Sequence, residues 1–154
     1  MPRAWRLTKT KYLASAWDGE GARKSGGRWN SPGVAVVYVS QNLSLALLEV
    51  LVHLSESSIF PAYSTIPVDF DEDLVTDLEL TNLPATWRDN PAPPEVRAFG
   101  DEWVAAATNP ILRVPSTLVP REFNYLLNPA HPDSHLIRIG EAQSFPFDPR
   151  LPTP

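Results

Sequence analysis

The chain has 154 residues, 43% hydrophobic and 20% charged, with 17 prolines and a net charge of −5. That apolar content over one domain's length is enough to bury a core, so wholesale disorder is excluded, and the acidic balance argues against a nonspecific nucleic-acid binder, which would be basic. Cysteine is absent, which removes disulfides, thiol nucleophiles and cysteine-ligated metal centres together.

The longest apolar run, Leu43 to Leu54, is interrupted by Glu49 and falls short of the roughly 18 residues a membrane helix needs. No membrane partner is expected. The first residues, Met1-Pro2-Arg3-Ala4-Trp5-Arg6, lack the apolar stretch and small-residue cleavage site of an export signal, so the cytoplasm is the expected compartment. Charge is unevenly spread. Residues 1–30 hold seven basic and two acidic side chains, a balance of +5, and the remainder carries −10. A basic segment in an acidic protein suits a compact anionic ligand, or it pairs with the acidic stretch Asp69, Asp71, Glu72, Asp73, Asp77 and Glu79.

In chain order, Pro2 to Lys9 alternates as a first strand with Trp5 and Leu7 on one face and Arg6 on the other. A connection rich in glycine follows, from Asp18-Gly19-Glu20-Gly21 to Gly26-Gly27-Arg28-Trp29-Asn30-Ser31-Pro32-Gly33, and reads as turns. Val34 to Ser40 is a β-branched strand containing Tyr38. Ser44 to Leu54 reads as a helix entered through Asn42 or Ser44, apolar on every side and therefore buried. Ala62 to Phe70 is a strand, the acidic segment after it an exposed loop or edge, and Pro84 to Pro94 irregular. Phe99 to Ala107 follows as a short helix with Trp103 inward, then strands over Ile111 to Val114, Phe123 to Leu127 and His135 to Ile139. The pattern is α+β, one domain over residues 1–154 with its core over about 5–150.

Glu49 is the most informative residue, a carboxylate in the middle of an apolar helix. Removing its water is costly, so something must compensate it. Either it forms a buried ion pair with an arginine or with His53, or it stands at the floor of a pocket, ready for a ligand hydroxyl or a developing cation. Arg28, after Gly26-Gly27, is its natural partner: a guanidinium grips phosphate with two prongs, though arginines at such turns are also commonly structural. Arg6 presents the same choice. Neither the phosphate-loop pattern nor a dinucleotide fingerprint is present. Ser116 has no nucleophile elbow or evident histidine base and reads as a hydrogen-bonding residue. His131, Asp133 and His135 are closely spaced metal-type ligands, but Pro132 interrupts the helix that would align them, and a solvated loop is the simpler reading.

Laid out in order, Trp5-Arg6-Leu7, Gly26-Gly27-Arg28-Trp29-Asn30, Val37-Tyr38-Val39, Ala46 to His53 around Glu49, Val114-Pro115-Ser116 and Asn124-Tyr125-Leu126-Leu127-Asn128-Pro129 resemble the RES-domain family of bacterial toxins, across nearly the whole chain. The resemblance implies a fold similar to ADP-ribosyltransferases, with mostly antiparallel sheets and short flanking helices. It implies cleavage of the nicotinamide–ribose bond of NAD, with inorganic phosphate or water as acceptor; in some members a protein is modified instead. NAD is then a substrate and not a cofactor, and no metal is required. Carried over, Glu49 is the catalytic carboxylate, assisted by Arg28; Arg6 and Arg28 hold phosphates and ribose, Tyr38 orients the nicotinamide end, Ser116 lines the site and Asn128 marks its edge. The implied partner is an antitoxin of the Xre, helix-turn-helix type that occludes the site in a higher-order complex. Leu47, two residues before Glu49, stands where transferases of arginine side chains commonly carry a second carboxylate. A protein-modifying transferase and a noncatalytic module with an internal Arg28–Glu49 ion pair remain the alternatives.

Chemistry supports the same assignment of Glu49. Breaking an N-glycosidic bond to a cationic leaving group develops positive charge on the ribose, which a preorganised carboxylate stabilises.

Overall fold

The computed structural model describes residues 1–54 and 61–151. Its elements in order are β1 (Arg3–Lys9), α1 (Glu20–Ser25), β2 (Val37–Ser40), α2 (Leu43–Leu51), β3 (Tyr63–Asp69), β4 (Val75–Asp77), α3 (Pro94–Ala106), β5 (Ile111–Pro115), β6 (Phe123–Leu127), β7 (Arg138–Ile139) and β8 (Gln143–Phe145). The strands form one sheet in the order β4-β5-β6-β2-β1-β3-β7, with β8 also on β3. Every pairing is antiparallel except β4 with β5. The α+β expectation holds. β1 and β3 make the longest ladder, from Arg3 opposite Asp69 to Lys9 opposite Tyr63, whereas β1 meets β2 only at Trp5 opposite Ser40.

Period-two alternation places the core on both sides of this sheet. Val37, Val39, Ile111, Tyr125 and Leu127 point to one side, with Ala4, Val68 and Phe70. Their neighbours Val36, Leu112, Val114 and Leu126 point to the other, against Trp29 and the α3 residues Val96 and Trp103. Each large apolar side chain buried this way contributes about 1.5–3 kcal/mol. A smaller cluster of Leu7, Ala46 and Tyr63 seats α2 on β1 and β3.

Several elements depart from the sequence expectation. α1 lies inside the glycine-rich connection: Gly19 and Gly26 adopt φ of 73° and 72° at its two ends, so glycines bracket a helical turn instead of abolishing it. α3 begins at Pro94, not Phe99, because proline at the first turn has no N–H to lose. His135 to Ile139 is a 3₁₀ turn over Ser134–Leu136 followed by the two-residue β7. α2 is entered through Asn42, whose side chain accepts from the Leu45 N–H at 2.8 Å. It is not buried all round. Leu45 and Ala46 face the sheet, but Leu48 and Val52 are 42% and 56% exposed, because nothing described covers the helix on its outer side.

The basic N-terminal segment pairs little with the acidic stretch. Arg3 binds Asp69 at the surface, while Arg113 takes Glu72 and Asp77, and Arg138 takes Asp71. Among the described residues no helix is long and apolar enough to cross a membrane.

Candidate active site

A cleft of about 1480 Å³ opens beside β1, β2 and α2, and Arg6, Arg28, Tyr38 and Glu49 all line it. Four residues far apart in the first third of the chain therefore meet in one place. Ser116 stands behind Glu49, fully buried, and Asn128 lies elsewhere. The Asn128 carboxamide accepts from the Ala130 N–H at 3.1 Å and its backbone N–H donates to the Pro110 carbonyl, so it shapes the turn after β6. Asn128, expected at the edge of the site, does not line the cleft: β6 ends at Leu127 and the residue after it is buried.

Glu49 has no ion pair among the described residues, with Arg28, His53 or any other cation. Two neutral donors converge on its Oε1 instead, the Ser116 hydroxyl at 3.0 Å and the Asn124 amide nitrogen at 2.9 Å. Their direction is fixed. Ser116 Oγ already accepts from the backbone N–H groups of Leu118 and Val119 at 3.1 and 3.2 Å, which leaves its single proton for Glu49. Asn124 Oδ1 accepts from the buried Ser40 hydroxyl at 2.7 Å, which turns the NH₂ end toward Glu49. Oε2 has no partner among the described residues, on a side chain that lines the cleft. Half-buried and neutrally braced, Glu49 is equipped to meet positive charge or a ligand hydroxyl.

Tyr38 is locked by its surroundings. Its hydroxyl donates to Asn30 Oδ1 at 2.6 Å and accepts from the Trp29 N–H at 3.1 Å. A Cβ on Gly27 would stand 2.6 Å from that hydroxyl oxygen, so glycine is required for the turn and the ring to approach. Burial pushes the phenol well above its ordinary pKa. The ring is thus a fixed, uncharged wall.

The two expected arginines differ. Arg6 donates from Nε to the Ala16 carbonyl at 2.8 Å and from Nη1 to the Tyr38 carbonyl at 3.1 Å, with its guanidinium over Trp17. Burial lowers its pKa to about 10, so it remains charged at neutral pH, but much of its donor capacity is spent on backbone. Arg28 binds the carbonyls of Trp87 and Asp89 through Nη1 alone. Burial lowers its pKa, and the nearby Glu49 carboxylate partly offsets this.

His131 is buried, with Nε2 at 2.9 Å from the Ala107 carbonyl and Nδ1 accepting from the Asp133 N–H. Among the described residues no group of three histidine, aspartate or glutamate side chains is placed to hold a metal.

The RES-domain profile matches residues 3–148. The chain belongs to the RES-domain family. A protein named Toxin Res from Yersinia enterocolitica is 41% identical over 149 residues, covering 96% of this chain and 97% of that protein. A protein named Prs ADP-ribosylating toxin, from a Sphingobium strain, is 35% identical over 152 residues, covering 96% and 94%. With such relatives along nearly its whole length, the RES-family chain is a RES-type toxin. Its fold is similar to that of one chain in the Mycobacterium tuberculosis MbcT–MbcA toxin–antitoxin complex, with TM-score 0.73 and 18% identity over 94% of this chain and 84% of that one.

Sequence reasoning missed three residues that line the cleft. Asn124 and Ser40 read as ordinary strand positions, and only the pairing of Ser40 with Asn124 across β2 and β6 brings them under Glu49. Arg97 fell within a helix assumed to start after it. Proline at the first helical position was the available signal.

Proposed function

We propose that this RES toxin cleaves the nicotinamide–ribose bond of NAD and, with an antitoxin as its cognate partner, acts in the cytoplasm to arrest growth. The observation that carries this reading is Glu49: an acceptor-only carboxylate held by Ser116 and Asn124, its second oxygen unpaired by any described residue, in a cleft shared with Arg28. As the C1′–N bond breaks, nicotinamide leaves neutral with the bonding electron pair, and positive charge grows on the ribose. Glu49 stabilises that charge or anchors a ribose hydroxyl, and Arg28 holds the anionic part of the dinucleotide. Phosphate then attacks C1′ to give ADP-ribose 1-phosphate, or water attacks it and releases a proton to solvent. The alternative of a noncatalytic module rested on an Arg28–Glu49 ion pair, and no such pair forms among the described residues. The antitoxin is proposed to be of the Xre type and to occlude the cleft within a higher-order complex.

Nicotinamide release by the purified, antitoxin-free protein, with and without inorganic phosphate, tests the proposal alongside Glu49→Gln. The amide keeps the acceptor that Ser116 and Asn124 require, so the variant folds, and it loses about 10²- to 10⁴-fold in rate. Phosphate-dependent release identifies a phosphorylase, and phosphate-independent release a glycohydrolase. No release from folded protein in either condition refutes NAD degradation.

A second reading, transfer of ADP-ribose to a protein, is favoured by the Sphingobium relative's name. Labelled NAD incubated with a cell lysate distinguishes it by label retained on protein.

A further inference from the structure

Arg6 gives two of its donors to backbone carbonyls, and a further arginine, Arg97, also lines the cleft. Helix α3 docks on the turn that carries Arg28 by two contacts. Gly100 approaches so closely that a Cβ there would fall 1.9 Å from the Trp29 carbonyl oxygen, and Asp101 accepts from the Ser31 N–H at 2.8 Å. Arg97 lies one helical turn before Gly100 and on the same face, so this docking brings it beside Arg28, the residue before Trp29. Both arginines line the cleft. Each acts electrostatically on its surroundings there: Arg97 is among the charges felt by Arg28 and by Tyr38.

The pair is unusual in what it lacks. Neither Arg28 nor Arg97 has an ion pair among the described residues. Arg97 Nε is buried without a hydrogen-bond partner, although a guanidinium has five N–H donors and leaving one buried and unmade is costly. The two like charges repel, offset in part by the Glu49 and Asp89 carboxylates near Arg28, and one keeps an unsatisfied buried donor, so a bound anion would stabilise the site. Arg28 keeps Nε and Nη2 uncommitted, since its described bonds all leave from Nη1.

We propose that Arg97 and Arg28 together form a subsite for a phosphoryl group, contributed either by the pyrophosphate of a dinucleotide or by free inorganic phosphate. This rests on the proposed function for the source of the anion, but not for its binding. Two forked cations and no carboxylate partner match the oxygens of a phosphoryl group.

The test uses the whole chain and two probes, ADP and inorganic phosphate, with binding measured by calorimetry for wild type, Arg97→Gln, Arg97→Lys and Glu49→Gln. Arg97→Gln is expected to lose at least tenfold in affinity for one probe, and Arg97→Lys less. Its melting temperature is expected to hold or rise, because an unpaired charge has been removed. Loss for ADP alone identifies the pyrophosphate as occupant, and loss for phosphate alone identifies the acceptor. Both outcomes support the subsite. Unchanged affinity for both probes in folded Arg97→Gln, or no binding of either by wild type, overturns it. Glu49→Gln is expected to lose nicotinamide release while binding either anion no more weakly than wild type; wild type that binds ADP or phosphate yet releases no nicotinamide refutes the NAD reaction while leaving the subsite standing.

Discussion

The Ser116 hydroxyl has one proton, and the geometry gives it to Glu49: its lone pairs face the N–H groups of Leu118 and Val119, and its donor faces Oε1 at 3.0 Å. The serine is therefore a positioning residue for the carboxylate and not a nucleophile. A nucleophile would need its proton taken by a base, and the group receiving it here belongs to the site's own charge stabiliser.

Removing either donor loosens Glu49. Hydrogen bonds to a charged group are worth about 1.5–3 kcal/mol, so Ser116→Ala and Asn124→Ala are each expected to slow nicotinamide release about 10- to 100-fold. The loss falls in kcat, with KM for NAD nearly unchanged. Ser40→Ala, which touches Asn124 and not Glu49, is expected to show a smaller loss of the same kind. Steady-state kinetics on the three variants checks the order, and a Ser40 effect confined to KM would contradict it.

Tyr38 predicts a pH dependence. Its folded-state pKa is raised above the ordinary value of 10 by burial, so the neutral phenol favours the fold. That contribution is intact below pH 10 and declines as pH rises above it, because the unfolded chain ionises first. Tyr38→Phe cannot ionise, and it leaves the Asn30 carbonyl and Trp29 N–H without their partner at a cost of about 1–3 kcal/mol. The stability gap between wild type and Tyr38→Phe is expected to be largest near neutral pH and to narrow above pH 10. Urea denaturation at a series of pH values measures it.

Arg6 and Arg28 should separate by what their loss costs. Arg6 ties β1 to the carbonyls of Ala16 and Tyr38, and Arg6→Ala is expected to lower stability by about 2–3 kcal/mol, since both bonds involve a charge. Arg28→Ala, bonded through one nitrogen to the loop carrying Trp87 and Asp89, is expected to weaken ADP binding at least tenfold with a smaller stability change. Thermal melts beside binding isotherms would expose a reversal of these roles.

Gly100 is the hinge of the α3 docking. An added methyl meets backbone, which cannot swing aside as a flexible side chain does, so Gly100→Ala is expected to cost about 1–3 kcal/mol in spite of alanine's better helix propensity. At this chain length that corresponds to a fall of several degrees in melting temperature. Gly21→Ala, with nothing near its Cβ, serves as the tolerated control.

The sequence made β1, β3, β5 and β6 legible because their apolar residues alternate or run together between turn residues, and the capping chemistry of Asn42 or Ser44 announced the start of α2, with Asn42 the one that caps it. Glu49 was visible for an energetic reason: a carboxylate among leucines and valines demands an explanation. Its true partners were not visible. Asn124 lies 75 positions away, and strand alternation cannot say which polar residue of a strand will end beneath a helix. Glycines and prolines misled in the opposite direction. Gly19 and Gly26 suggested only turns where they bound α1, and Pro94 suggested irregularity where it opens α3. Removing α3 from its first five residues also removed Arg97 from consideration.

β2 pairs with β6 and leads directly into α2, so the carboxylate meets two donors from 67 and 75 positions further along the chain. A ribosome that has made the first hundred residues has already produced Glu49, Arg28 and Tyr38, yet Ser116 and Asn124 have still to be translated. The nascent chain carries the charge before it carries the groups that aim it.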